Sequence, residues 1–317
     1  MTSFAEELIT LDNGIEGQAI RVDSANPVNF FESMSKPDAM ARIGIEGQLF
    51  LPPGEGPFAC VIVVPGSLGV APSHIHKALL LTDAGIATCV IDPFGARAVT
   101  STVANQTQYS FAASAYDVLA TARLLATRDD VDEARIGAQG HSRGGSAVMS
   151  AAVTHFADAA GGPRLHSVYA AYPWCGQQFL VPALGETVVR AVIGDRDEWC
   201  LPQQVQAQIH AMCLAGGDAT FKLFDGAQHS FDRDTPIEMV DDAKVSPSAP
   251  TVYIGFDGAF YHPLTGEADP ALTDRDLMVY ALKAGYGKVG ARIGSEGDVA
   301  ARFHDDMMTF WRGQLCA

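Results

Sequence analysis

From residue 58 onward the chain repeats one alternation. A short, mostly apolar run without strict apolar–polar alternation is followed by a segment with apolar residues at helical spacing. The runs are ACVIVVPG (59–66), IATCVIDP (86–93), ARIGAQG (134–140), SVYAAYPW (167–174), VVRAVIG (188–194) and ATFKLFDG (219–226). Between them stand the helical patterns 74–85, 111–128, 146–160 and 202–217. A strand that is apolar on both sides needs cover on both faces, and helices between strands make parallel neighbours. The alternation therefore predicts an α/β fold with a doubly wound, mostly parallel sheet.

The flanks read differently. GQAIRVDS (17–24) and GIEGQLFLP (44–52) predict antiparallel edge strands, so residues 1–57 form an N-terminal β extension of the same domain and 58–317 its core. Residues 232–296 are rich in Pro, Gly, Asp and Thr and predict only one helix, about 273–284. A long irregular excursion of this kind is commonly functional, and this one reads as a lid dotted with Tyr253, Phe256, Phe260, Tyr261 and Tyr280. GDVAARFHDDMMTFWRGQ (297–314) predicts a closing amphipathic helix.

Charge and composition narrow the partners. The formal net charge of −16 repels phosphate backbones and anionic lipid, which argues against nucleic-acid and membrane partners. The first residues lack the basic and apolar regions of a signal peptide, and no apolar run is long enough to span a bilayer. Six scattered cysteines, with no CxxC, read as reduced thiols, so a cytoplasmic location is expected.

The sharpest chemical signal is Gly140-His141-Ser142-Arg143-Gly144, a G-x-S-x-G between a strand and a helix. Glycines at both ends permit the sharp turn that presents a serine hydroxyl at the end of a strand. A serine needs a base, and His229 follows the strand 219–226, so it reaches the same sheet edge. The base needs an orienting carboxylate from the turn after 188–194, where Asp197 is favoured over Asp195. An oxyanion hole needs two N–H donors, which the main chain of Arg143 and of Ser67, beside Gly66, supplies. Because those donors are main-chain groups, the two side chains are expected to be free to vary. Arg97, Trp174, Trp199 and Phe231 follow strands at the same edge and are candidates for substrate contact. His74 and His76 form an H-x-H without a carboxylate or cysteine beside them, so no metal site is expected.

PGSLGV, GIATCVIDPFGARAV, GHSRGG, GDRDEWCLP, FDGAQHSFDR and GARIGSEGDVAARFHDDMMTFW together make residues 44–317 resemble the dienelactone hydrolase family of the α/β-hydrolase superfamily. The resemblance implies the α/β-hydrolase fold and a Ser142–His229–Asp197 triad. It also implies Arg97 as a partner for a substrate carboxylate. The namesake enzymes carry a cysteine where Ser142 stands and an acidic residue where Gly66 stands, which argues against dienelactone itself as substrate.

The expected function is hydrolysis of a small-molecule carboxylic ester, linear or lactone, through an acyl-enzyme, without cofactor or metal. A thioesterase, acyltransferase or perhydrolase would use the same triad with another acyl donor or acceptor. A non-catalytic binding protein on this fold is the rival from another class.

Overall fold

The computed structural model describes residues 3–316. The N-terminal part supplies β1 (Gln18–Ala25), the short helix α1 (Phe30–Ser35) and β2 (Arg42–Phe50). β3 (Phe58–Val64), α2 (Pro72–Asp83), β4 (Ala87–Asp92), α3 (Phe111–Leu125) and β5 (Val131–His141) follow. The predicted helix 146–160 is broken into α4 (Arg143–Ala151) and α5 (Thr154–Ala159). The break falls where the Thr154 amide bonds to Ala183 O at 2.8 Å instead of continuing the helical ladder. β6 (Ser167–Ala171), β7 (Gln177–Phe179), β8 (Val188–Gly194), α6 (Pro202–Leu214) and β9 (Ala219–Phe224) complete the alternation.

Eight strands form one sheet in the order β1-β2-β4-β3-β5-β6-β8-β9. β1, β2 and β4 pair antiparallel, and every other neighbour is parallel. The central strands are apolar on both faces because both faces are covered: β3 and β4 are buried almost throughout. Burial of each such valine or isoleucine side chain contributes about 1.5–3 kcal/mol. From β3 the chain winds one way to β4, and from β5 the other way to β6. The crevice where an open sheet binds ligands therefore lies beyond the carboxyl ends of β3 and β5.

The segment 232–296 is more ordered than its composition predicts. β10 (Glu238–Val245), β11 (Val252–Ile254), β12 (Phe260–Tyr261), β13 (Ala268–Asp269), α7 (Asp274–Lys283) and β14 (Lys288–Ile293) occupy it. β10 pairs with β14, and β11 to β13 extend from β7 as a small second sheet. Its two ends meet: Gly294 N donates to His229 O at 2.9 Å, so the segment leaves and rejoins the core at one histidine. Phe260 is buried against Phe30, with ring centroids 6.2 Å apart, and Phe256 stacks on His155.

The closing helix α8 (Val299–Leu315) seals the sheet through Trp311, which is fully buried. A Cβ at Gly137 would stand 2.6 Å from the Trp311 ring, so only glycine on β5 admits the indole. Trp311 Nε1 donates to Gln139 Oε1 at 2.6 Å.

Candidate active site

Ser142 occupies the turn between β5 and α4 with φ 54° and ψ −115°. Such backbone strain in a non-glycine residue persists only where the surroundings impose it. Here they do. A Cβ at Gly140 would lie 2.0 Å from Gly144 O, and one at Gly144 would lie 2.4 Å from Val64 O, so both flanking positions exclude any side chain. The Ser142 amide is tied to Ala171 O at 2.9 Å.

His229 sits on the loop after β9 and Asp197 on the turn after β8. These two segments run in contact, because Gly194 leaves no space for a Cβ beside Ala227 and Arg196 N donates to Ala227 O at 3.0 Å. The structure brings three predicted residues into one line. Ser142 Oγ lies 2.9 Å from His229 Nε2, and His229 Nδ1 lies 2.7 Å from Asp197 Oδ2. A carboxylate only accepts, so Nδ1 carries the proton and Nε2 of the neutral ring is the acceptor facing the serine hydroxyl. Asp197 is held by the main chain, with Oδ1 accepting from Trp199 N at 2.8 Å and Cys200 N at 2.9 Å. Asp195 turns away to cap Gly226 N at 2.7 Å. Trp199 stacks on the His229 ring at 5.2 Å, and Tyr172 meets it edge-on at 4.7 Å.

The Gly66–Ser67 turn after β3 lies against the elbow. A Cβ at Gly66 would stand 3.0 Å from His141 O and 3.2 Å from Ser142 Cβ. Among the described residues no hydrogen bond engages the main-chain N–H of Ser67 or Arg143. Their side chains, by contrast, are not free to vary. Ser67 Oγ donates to Gln106 Oε1 at 3.0 Å. The Arg143 guanidinium donates to Ser114 Oγ, Gln106 O and Tyr109 O and packs 4.2 Å from the Tyr109 and Phe111 ring centroids. It anchors the segment 106–111, which walls the site.

Two cavities open at Ser142. One, of about 50 Å³, is lined by Phe111, Trp174, Trp199 and Cys200 together with Lys244, Val245, Ser246 and Met278 of the excursion. The other, of about 20 Å³, lies on the His229 side and includes Leu68, Tyr172 and Arg233. Trp174 and Trp199 thus line the cavity that opens at Ser142. Phe231 and Arg97 do not. Phe231 is fully buried between Tyr172, Phe224 and Phe303. Arg97 is committed to Asp117, at 2.8 Å, and to Asn26 and Pro93, where it ties the N-terminal extension to α3. The aromatic residues Phe260 and Tyr261 are likewise absent from both linings, and Val245 and Met278 stand there instead. A roomier cavity of about 470 Å³ lies between residues 4–12 and α2, but none of Ser142, Asp197 or His229 touches it.

The sequence reading missed Arg233. Its buried Nε meets no partner among the described residues, and the side chain lines the smaller cavity beside Ser142. The only local signal is its position four residues after His229.

Asp197, Cys200 and His229 bring a carboxylate, a thiol and an imidazole within 4.8 Å of one another. Asp197 already receives three N–H donors, and burial, with Asp197 beside it, pushes the Cys200 thiol well up. His74 is likewise occupied, its Nδ1 accepting from Ala71 N at 2.9 Å.

Parallel strands with antiparallel leaders, crossover helices, and a serine on a strained strand-to-helix turn define the α/β-hydrolase class. The sequence matches the dienelactone hydrolase family over residues 45–252, and the chain belongs to that family, as a hydrolase acting on esters. A dienelactone hydrolase-like promiscuous phosphotriesterase from metagenomic libraries shares the fold at 15 % identity, with TM-score 0.54 over 94 % of this chain and 99 % of that one. A putative dienelactone hydrolase from Klebsiella pneumoniae subsp. pneumoniae does so at 17 % identity, with TM-score 0.50 over 68 % of this chain and 88 % of that one. No curated protein matches the sequence. No helix among the described residues is long and apolar enough to cross a membrane.

Proposed function

We propose that the protein hydrolyses small-molecule carboxylic esters through an acyl-enzyme on Ser142. The observation that carries this reading is the hydrogen-bonded line from Ser142 Oγ through His229 to Asp197, at 2.9 and 2.7 Å. As Oγ attacks the ester carbonyl carbon, its proton passes to His229 Nε2, and Asp197 stabilises the imidazolium. The main-chain N–H groups of Ser67 and Arg143 receive the oxyanion, each contributing about 3 kcal/mol. Collapse of the tetrahedral intermediate breaks the C–O bond to the alcohol, which takes the proton from Nε2. Water, deprotonated by the same nitrogen, then releases the acid and restores Ser142.

The leaving alcohol must meet His229, so it occupies the smaller cavity, which His229 lines. The acyl group takes the other cavity, where His229 is absent from the lining. Arg233 on the alcohol side favours leaving groups that carry an acidic substituent. Lys244, Val245 and Met278 give the excursion its part in substrate choice. We assign the chain to the cytoplasm, since all six thiols are free and four are buried.

Fluorophosphonate labelling tests the reading. Ser142 is expected to carry the adduct in peptide mapping, and Ser142→Ala to lose both label and p-nitrophenyl acetate turnover, by about 10⁶ in kcat. Labelling elsewhere, or turnover by the variant near that of the native protein, overturns it. A faster reaction with thioesters, or transfer to alcohols or peroxide in preference to water, would reassign the acyl donor or acceptor while keeping the triad.

A further inference from the structure

His229 meets two aromatic rings, and the two differ in tilt. Tyr172 is inclined to it by 64°, whereas Trp199 lies nearly parallel, inclined by 18° with centroids 5.2 Å apart. The indole therefore turns its face, not its edge, to the imidazole. Trp199 and His229 are only 7 % and 3 % exposed, so water does not cover the side that the indole occupies. One stretch of chain holds the stack. Trp199 Nε1 donates to Arg292 O at 2.8 Å, and two residues further on Gly294 N donates to His229 O at 2.9 Å. Between them Ile293 forms a parallel bridge with His229. Glu198, beside Trp199, accepts from Arg292 N at 2.8 Å and pairs with the Arg292 guanidinium. The end of β14 thus grips the residues that carry both rings.

We propose that Trp199 takes part in the reaction: its indole face stabilises the imidazolium that forms when His229 accepts the proton of Ser142, and the end of β14 holds it there. The role rests on reading Ser142 as the nucleophile and His229 as its base. An aromatic face is the negative side of the ring quadrupole and attracts a cation within about 6 Å of its centre. The neutral imidazole gains little from that face, and the cation gains more. The contact therefore lowers the barrier instead of tightening substrate binding. Asp197 meets the new charge at Nδ1, in the plane of the ring, and Trp199 meets it from the face. The excursion then has a part in the chemistry besides lining a cavity.

The test replaces Trp199 in the full chain by mono-, di-, tri- and tetrafluorotryptophan. Each fluorine drains the negative face, while the ring keeps its outline and its N–H for Arg292. Acylation and deacylation both pass through the imidazolium, so kcat reads the contact whichever step limits turnover. With p-nitrophenyl acetate, kcat is expected to fall in steps, about tenfold over the series, the size of one desolvated cation–π contact. KM is expected to stay within twofold. The same series at Trp311, buried against Gly137 and Gln139, is expected to hold kcat within twofold. A kcat within twofold across the Trp199 series overturns the proposal, as does a loss confined to KM or one that the Trp311 series reproduces. Turnover by the native protein with a flat Trp199 series removes the role of Trp199 alone. Absence of turnover for every ester removes the reading of Ser142 and this role with it.

Discussion

Tyr172 donates its hydroxyl to Asp232 at 2.5 Å while its ring lies edge-on to His229 at 4.7 Å. The other oxygen of Asp232 accepts from Lys77 at 2.5 Å, and both charged side chains are sealed from solvent. Burial alone would raise the Asp232 carboxyl, but Lys77, then His141 and the Tyr172 phenol, hold it far below the usual carboxylate range. Asp232 lies three residues after His229, so this ion pair fixes the loop that carries His229.

Asp232→Asn removes the counter-charge and leaves the Lys77 ammonium buried. Breaking one partner of a buried pair costs about 3–5 kcal/mol. Urea unfolding at neutral pH is expected to show a loss of that size. A loss below about 1 kcal/mol would mean that Lys77 finds another partner or sheds its proton at little cost.

Asp197→Asn and Asp195→Asn separate two carboxylates that stand two residues apart. An amide at position 197 no longer enforces the proton on Nδ1, and kcat is expected to fall about 10⁴-fold with little change in folding. Asp195 caps Gly226 and makes no hydrogen bond to Ser142 or His229, so its variant is expected within about threefold of the native rate. Equal effects in steady-state kinetics would refute the assignment of Asp197.

Gly66→Ala probes the oxyanion turn without removing a donor. The added methyl meets His141 O at 3.0 Å and Ser142 Cβ at 3.2 Å, so the turn must move back by a few tenths of an ångström. Misplacement on that scale is expected to lower kcat about tenfold while KM for p-nitrophenyl acetate stays within threefold. An unchanged kcat would place the second donor elsewhere.

The protein is expected to lose stability as the pH falls below about 6.5. Burial, then Lys77, holds His141 down to about 3. Burial, then His141 and Lys77, holds His74 well below its ordinary value. Both rings are neutral in the folded chain at a pH where the unfolded chain protonates them, so unfolding takes up protons. Each contributes up to about 1.4 kcal/mol of lost stability per pH unit inside its window. Asp232 adds a further loss below about pH 4, where the unfolded chain binds its proton first. Equal unfolding free energies at pH 7.5 and pH 5 would contradict this account.

The meeting of Ser142, Asp197 and His229 was legible because each follows its own apolar strand, and strand ends at one edge of a parallel sheet converge. Arg97 satisfied the same rule and still missed the site. Asp117, on the helix after it, captures the guanidinium, and a pair between loop and helix leaves no local pattern. Arg233 escaped for the converse reason: what marks it is the lack of a partner, a property of the whole fold. The excursion read as irregular because β11, β12 and β13 are two or three residues long, too short to show a period of two. Arg143 was read for its amide alone, and its side chain turned out to pin residues 106–111 through contacts some thirty residues away in sequence.

The meeting of the excursion's two ends at His229 has a consequence for its length. Seen from the triad side, the intervening chain departs from and returns to one point, although β11 pairs with β7 and Phe260 packs on Phe30 further out. Doubling such a loop adds only about 0.6 kcal/mol of closure entropy. A change of length between the two ends therefore alters the wall that Lys244, Val245 and Met278 give the cavity at Ser142, while the strands that place Ser142, Asp197 and His229 keep their own register.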